Sequence, residues 1–207
     1  MGSAMPLYGF SLFLPTIIKE LGYTTTKAQL MSVPPYACAA VLTIAIGYLA
    51  DRTRQRGLCN IFVSLLGVIG FAIQLGSQQP HTKYAGTFLA ALGMYPCIAN
   101  TISWVSNNIE GVYKRGIVLG FVIGWGNLNG IVSSNIFFRS PKFTVGHATI
   151  LAYLVVCLFG GSCLMTFLLR RENAARLAGE RDYLVVGMSE KEAEKLGDSR
   201  PDFMYTV

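Results

Sequence analysis

The ten residues GYLADRTRQR, from Gly47 to Arg56, separate two long apolar stretches of this chain. They hold one aspartate and three arginines, and they are too few to fold alone. The apolar stretches on either side are about as long as a helix that crosses the bilayer core. The segment therefore predicts a tight polar turn between two membrane helices.

The composition indicates the same class of protein. Of the 207 residues, 52% are hydrophobic and only 14% are charged, with a mean hydropathy of +0.46. Soluble domains usually carry about 25% charged residues. Of the 11 acidic residues, 8 lie after position 170, which predicts a polar tail over 170–207 behind a membrane bundle over 1–169.

The apolar runs predict an all-α membrane protein with six transmembrane helices. Backbone at membrane depth must satisfy its own hydrogen bonds, and the runs lack the short alternating pattern of membrane barrels. The first run has no basic leader, so it is interpreted as a span and not as a signal peptide. The predicted spans are 5–21, 30–50, 58–75, 84–106, 117–138 and 148–169.

Positive charge alternates between the connections. Nine Lys and Arg residues lie in the turns after the second and fourth spans and over 170–181 after the sixth span, and five lie on the other connections. The positive-inside rule then predicts that both termini, and with them the tail, are cytoplasmic. The net charge of +6 reflects this topology and contact with lipid headgroups, not nucleic acid.

The sequence contains no recognisable metal-binding or catalytic cluster. The cysteines lack CxxC spacing and lie away from the histidines, and no nucleophile with a base or pair of deep carboxylates can be recognised. We therefore expect no metal site, no cofactor and no enzymatic activity.

The composition of the spans varies with a period of three. The third and sixth spans consist mostly of Leu, Ile, Val, Phe and Gly, whereas the others carry prolines, aromatic residues or amides. This pattern predicts two three-helix repeats, with the third helix of each facing lipid.

Span four carries a polar stripe. Gly93, Pro96, Asn100, Trp104 and Asn107 fall on one face at helical spacing. The stripe predicts the wall of a polar cavity, and the alternative is that the amides bind helices together.

Three further spans contribute candidate residues. In span five, Gly116, Gly120 and Gly130 predict close helix packing, and Trp125 and Asn129 face the other way, toward a substrate. Tyr8 in span one and Tyr36 in span two are weaker candidates, and ordinary helix contacts remain an alternative for them. The predicted substrate-binding residues are Tyr8, Tyr36, Asn100, Trp104, Trp125 and Asn129.

The turn resembles the cytoplasmic loop of the major facilitator superfamily, with Arg54 in place of the family's second glycine. Four stretches look more specifically like the fungal anion:cation symporter group, the allantoate permease branch. These stretches are YGFSLFLPTIIKELGY from Tyr8, NTISWVSNNIEGVYKRG from Asn100, GWGNLNGIVSSNIF from Gly124 and LGDSRPDFMYTV from Leu196.

The resemblance implies helices seven to twelve of a twelve-helix plasma-membrane transporter. Its substrates would be small organic anions such as nicotinate, pantothenate or allantoate, taken up with a proton by alternating access. Gly47, Asp51, Arg52 and Arg56 would then gate the transporter, with the Asp51 carboxylate docking on the opposite half. The alternative is a simple solvated loop.

The chain would need a partner to work in this way, either an amino-terminal six-helix half or a second copy. Two other functions remain open. The chain could be a self-associating six-span membrane protein or scaffold, or an inactive truncated transporter fragment.

Overall fold

The computed structural model describes residues 4–20, 22, 24–134 and 144–207. Within these ranges all regular structure is helical. The elements are α1 (Ala4–Glu20), α2 (Thr25–Thr53), α3 (Arg56–Gly76), α4 (Pro80–Asn107), α5 (Val112–Ser134), α6 (Thr144–Tyr153), a π-helical turn (Leu154–Gly160), α7 (Gly161–Leu177) and α8 (Glu190–Glu194).

The six predicted spans coincide with these helices to within a few residues at most ends. The helix α2 begins earlier than predicted, and α7 continues to Leu177, past the predicted end at Leu169. Residues 135–138 of the fifth predicted span lie outside the described residues. Among those described, four segments are long and apolar enough to cross a membrane, namely Thr25–Thr53, Arg56–Gly76, Pro80–Asn107 and Gly146–Leu177.

The bundle is organised around α1 and α4. The helix α4 packs against α3 and α2, while α1 packs against α5 and α2. The rod formed by α6, the π-helical turn and α7 lies against α3. This arrangement leaves α2 and α5 on the two flanks, where much of their surface is exposed.

The closest helix approach in the described part of the bundle joins α3 to α4 through glycines. A Cβ atom on Gly93 would lie 2.2 Å from the backbone nitrogen of Gly67, and one on Gly70 would lie 2.4 Å from that of Ala90. Small residues let two helix backbones approach in this way inside a membrane. The sequence analysis treated span three as plain and did not assign this interface.

The glycines predicted to pack α5 have different surroundings. A Cβ on Gly130 would lie 3.7 Å from the ring of Tyr8, so this position packs against α1. A Cβ atom added at Gly116 or Gly120 would meet nothing from another element within 4 Å in the described part of the chain. A packing role for these two glycines stays a prediction that requires a partner helix.

The π-helical turn keeps one side of the last rod against the bundle. Buried residues recur at every fourth position through it, at Ile150, Leu154, Leu158, Ser162 and Thr166. In a regular α-helix a step of four overshoots one turn by about 40°. The wider π turn offsets part of this drift, so one face of the rod stays buried along its length.

Gly93→Ala should destabilise the bundle because its Cβ has no space beside the α3 backbone. We expect a loss of about 1–3 kcal/mol, as for other overpacked cores. Thermal unfolding in detergent, followed by circular dichroism, measures the effect. Gly116→Ala is the matched control and should leave the melting temperature unchanged or slightly higher. Equal melting temperatures for Gly93→Ala and the wild type would contradict the interface.

Candidate functional site

The polar turn is tied to the bundle through Arg56, the first residue of α3. Its side chain is buried, and its guanidinium forms an ion pair with the Asp51 carboxylate. Arg56 therefore makes the contact to Asp51, while Arg52, next to Asp51 in the chain, donates to the Tyr48 hydroxyl at 3.4 Å. The Asp51 side chain remains 67% exposed, so it can still meet a group from outside this chain.

The backbone of the turn departs from ordinary helix geometry at Arg54. This residue ends α2 in the left-handed region, with φ 55° and ψ 22°. Glycine adopts this conformation without a steric penalty, whereas other residues pay about 1–2 kcal/mol. The position is the one where the resemblance places a glycine. A Cβ atom added at Gly47, on the same helix, would meet nothing from another element within 4 Å in the described residues.

Asn100 lies inside the bundle and joins α3 to α4. Its side-chain oxygen accepts a hydrogen bond from Arg56 Nη1 at 3.1 Å, and its Nδ2 donates to the Arg56 carbonyl at 2.8 Å. The same Nδ2 donates to the Asn60 side-chain oxygen at 3.2 Å. The residue is 3% exposed, as expected if the amide binds helices together. A role for Asn100 in binding substrate stays a prediction, and it requires α3 and α4 to separate.

The indole N–H of Trp104 also has its hydrogen-bond partner within the chain. The residue is buried, and its indole nitrogen donates to the carbonyl of Thr206 at 2.8 Å. Asn107, the last residue of the predicted stripe, is exposed. Asn107 lines a polar recess of about 310 Å³ at the end of the bundle that carries the polar turn. The same recess is lined by Asp51, Arg54, Arg56 and Arg115.

An open groove between α2 and α4 gathers aromatic and hydroxyl side chains. The rings of Tyr36 and Tyr95 meet edge to face, with centroids 5.5 Å apart. Ser11 of α1 is a further neighbour of Tyr95. We call this the aromatic groove; it has a volume of about 590 Å³ and is lined by Tyr36, Ala40, Thr43, Ile44 and Tyr95.

The sequence analysis selected Tyr36 but missed Tyr95. Tyr95 precedes Pro96, one residue away from the predicted stripe, and so points to a different side of α4. An aromatic residue directly before a proline in a predicted membrane helix was the sequence feature that could have identified Tyr95 as a candidate.

The remaining candidates lie at α1 and α5. The Tyr8 hydroxyl donates to the side-chain oxygen of Asn127 at 2.5 Å. Trp125 is 53% exposed and stacks on Phe121 with centroids 6.1 Å apart. The Asn129 side chain donates to the Trp125 carbonyl at 3.1 Å. The six predicted substrate residues therefore do not form one cluster in this conformation.

Comparison with known proteins decides the family. Residues 1–134, which include α1 to α5 and the polar turn, match the family model described as the Major Facilitator Superfamily. The chain belongs to the Major Facilitator Superfamily. The relatives that match the chain are themselves named as transporters, which points to transport and not to enzymatic chemistry.

Three fungal relatives illustrate the similarity. An uncharacterized transporter of Schizosaccharomyces pombe is 38% identical over 97% of this chain and 41% of its own length. The high-affinity nicotinic acid transporter of Saccharomyces cerevisiae is 32% identical over 99% of this chain and 38% of its own. The major facilitator-type transporter hxnP of Emericella nidulans is 28% identical over 93% of this chain and 40% of its own.

The chain thus spans about two fifths of the length of these superfamily relatives. No solved structure matches it significantly.

Arg54→Gly should stabilise the chain by about 1 kcal/mol because it removes the left-handed strain at the end of α2. Arg52→Gly is the matched control, since Arg52 lies in the last helical turn, where glycine is unfavourable by a similar amount. Melting temperatures of the two variants should move in opposite directions. A fall for both would show that the Arg54 side chain matters more than its backbone geometry.

Asn100→Ala should destabilise the bundle by about 1–3 kcal/mol because it leaves partners on Arg56 and Asn60 unsatisfied in a buried site. Asn129→Ala removes only a bond within its own helix and should change stability by less than half as much. Chemical or thermal unfolding in detergent compares the two. Equal effects would show that the α3–α4 network contributes no more than an exposed amide.

Proposed function

We propose that this chain is the carboxyl-terminal six-helix half of a plasma-membrane transporter that takes up small organic anions together with protons by alternating access. In this proposal both termini face the cytoplasm and α1 and α5 also cross the membrane. The observation that carries the proposal is the aromatic groove, an open concave surface of aromatic rings and hydroxyls with no covering helix among the described residues.

The packing of the helices supports an arrangement of two equivalent triplets. The helix α2 packs against α4, and α5 packs against α1; likewise α3 packs against α4, and α6 against α1. If α1, α2 and α3 are exchanged with α4, α5 and α6, the α2–α4 contact becomes the α5–α1 contact. In the same way the α3–α4 contact becomes the α6–α1 contact. Inverted repeats in transporters produce this relation, and they place the substrate near the midplane where the repeats meet.

The length of the relatives supports a missing half. The chain accounts for about two fifths of each of the three relatives, which leaves room for a second bundle. The bare glycine face of α5 at Gly116 and Gly120 has the surface that a close-packed partner helix needs. A second copy of this chain is the competing occupant of that surface.

The chemistry of the aromatic groove suits a planar organic anion. The rings of Tyr36 and Tyr95 offer faces for stacking, and their hydroxyls and that of Thr43 can orient polar atoms. A relative carries nicotinic acid in its name, and nicotinate is such an anion. Trp125 and Asn129 would approach the substrate from α5. None of the described residues that line the groove is ionisable near neutral pH, so the proton-carrying group would lie on the other half.

The polar turn would act as the cytoplasmic gate. Arg56 holds Asp51 on one side, and the exposed part of the carboxylate is available to the positive end of a helix in the other half. Forming and breaking that contact would bias the inward-open and outward-open states. Gly47 and Arg52 would lie at the same contact surface.

Tyr36→Ala and Tyr95→Ala should lower the uptake efficiency of the twelve-helix protein at least tenfold, equivalent to ~1.4 kcal/mol of lost binding. Uptake of radiolabelled nicotinate, pantothenate and allantoate into yeast without its own carriers measures kcat/KM. Phe62→Ala, on the exposed side of α3, is the matched control and should transport normally.

Wild-type uptake by both tyrosine variants, at equal surface expression, would contradict the substrate site. Uptake by this chain expressed alone, with crosslinked dimers, would favour the self-associating alternative.

A further inference from the structure

The residues after α7 fold back onto the helix ends. We call residues 197–206 the tail segment; it reaches the ends of α4 and α7 and the start of α5. The acidic residues after position 170 predicted a polar tail over this region. A capping box of Ser189 and Glu192 begins the short helix α8 that leads into the tail segment.

Two asparagines hold the backbone of the tail segment. Asn108 donates from Nδ2 to the Thr206 carbonyl at 2.9 Å and accepts from the Thr206 amide at 2.7 Å. Asn173 pairs in the same way with the carbonyl and amide of Tyr205, at 2.8 and 2.9 Å. Paired amide contacts of this kind resemble those that an extended peptide makes in a recognition groove.

The guanidinium of Arg176 donates hydrogen bonds to several backbone carbonyls of the tail segment. Its Nη1 donates to the carbonyls of Asp198, Arg200 and Phe203 at 3.1, 3.0 and 2.6 Å. Its Nη2 donates to the Tyr205 hydroxyl at 2.9 Å, and the guanidinium carbon lies 4.3 Å from the centroid of the Tyr205 ring. The Arg176 side chain is only 5% exposed, so the tail segment covers a cation that would otherwise face solvent.

Ion pairs fasten the tail segment to the start of α5. Lys114 donates to the Asp198 carboxylate at 2.5 Å, and Arg200 donates to Glu110 at 3.1 Å. Partial burial is the largest single effect on the Asp198 carboxyl and raises its pKa, but the hydrogen bond and charge of Lys114 together with backbone hydrogen bonds from Asp198 and Glu110 hold the pKa below its ordinary value. Because these pairs are partly exposed, salt should weaken them.

Above the tail segment lies a cavity of about 470 Å³ between α4 and α7, with Tyr205 in its lining. Most of the lining is apolar, and Asn60 and Ser162 form its polar end. The tail segment therefore closes one end of this cavity while Thr206 engages Trp104 beside it.

We propose that Trp104, Asn108, Asn173 and Arg176 form a peptide-binding cleft whose resident ligand is the chain's own tail segment, which acts as a reversible plug of the α4–α7 cavity. The contacts are polar and lie at the helix ends, and the tail residues are only half-buried, so the segment can leave without opening the apolar core. This assignment goes beyond the proposed transport function and does not rest on it.

A nicked form of the full chain tests the cleft. A protease site is inserted at Gly187, in an exposed turn between α7 and α8, and the folded protein is cut in detergent. Size-exclusion chromatography and dilution then give the rate at which the fragment with the tail segment leaves. We expect the fragment to stay bound at low salt and to leave faster at high salt, while the helical circular dichroism signal stays constant.

Substitutions identify the contacts. Asn108→Ala should speed dissociation about 25-fold, since it removes two hydrogen bonds that contribute roughly fivefold each. Arg176→Ala should release the fragment at least as fast. The matched controls are Gln78→Ala, an exposed amide in the turn at the other end of α4, and Arg171→Ala, an exposed neighbour on α7, and both should match the wild type.

Release also has a spectroscopic signature. Only two tryptophans exist in the chain. In a Trp125→Phe background, departure of the tail segment should shift Trp104 emission to the red and increase quenching by iodide.

Two results would overturn the proposal. One is equal dissociation from the wild type, Asn108→Ala and the controls; the other is release only when the helical signal is lost, which would make the segment a fixed part of the fold. No substrate enters this assay, so its failure leaves the transport proposal standing, and failed uptake leaves the cleft standing.

Discussion

The buried hydrogen-bond network of Arg56, Asn60 and Asn100 determines how α3 and α4 meet. These side chains are buried at the end of the bundle, where unpaired polar groups cost free energy, so an arrangement in which they bond to one another is favoured. Satisfying them sets the rotation of α4 against α3, and the glycine contact at Gly67 and Gly93 continues the same interface. The placement of both the turn and the open face follows from this one contact.

Once the amide face of α4 is turned inward, a different side of the helix remains open. That side carries Tyr95, which meets Tyr36 from α2 in the aromatic groove. The same network also fixes the end of the bundle that carries the polar turn, because Arg56 holds Asp51 while Trp104, one turn beyond Asn100, holds Thr206. Turn, groove and tail segment are therefore three consequences of one helix orientation.

The sequence predicted what depends on local properties. The length and apolarity of the runs predicted the helices, and the aspartate and three arginines between two of these runs predicted the polar turn. Periodicity showed that Asn100 and Trp104 share a face, but it carries no information on which neighbour that face meets. Likewise, contacts between Asn108 and Thr206 join distant parts of the chain, and no local pattern encodes them.

The π-helical turn in the last rod has a consequence for how this region can change. A π turn contains one residue more than the α-helix it replaces, so removing one residue from Leu154–Gly160 would restore regular winding. Everything beyond it would keep its orientation, because the wide turn absorbs the extra residue locally. Ser162 would stay beside Asn60, and Asn173 and Arg176 would keep their contacts with the tail segment. A single-codon deletion inside the π turn would thus be tolerated, whereas the same deletion in α7 between Ser162 and Asn173 would rotate all that follows by about 100°.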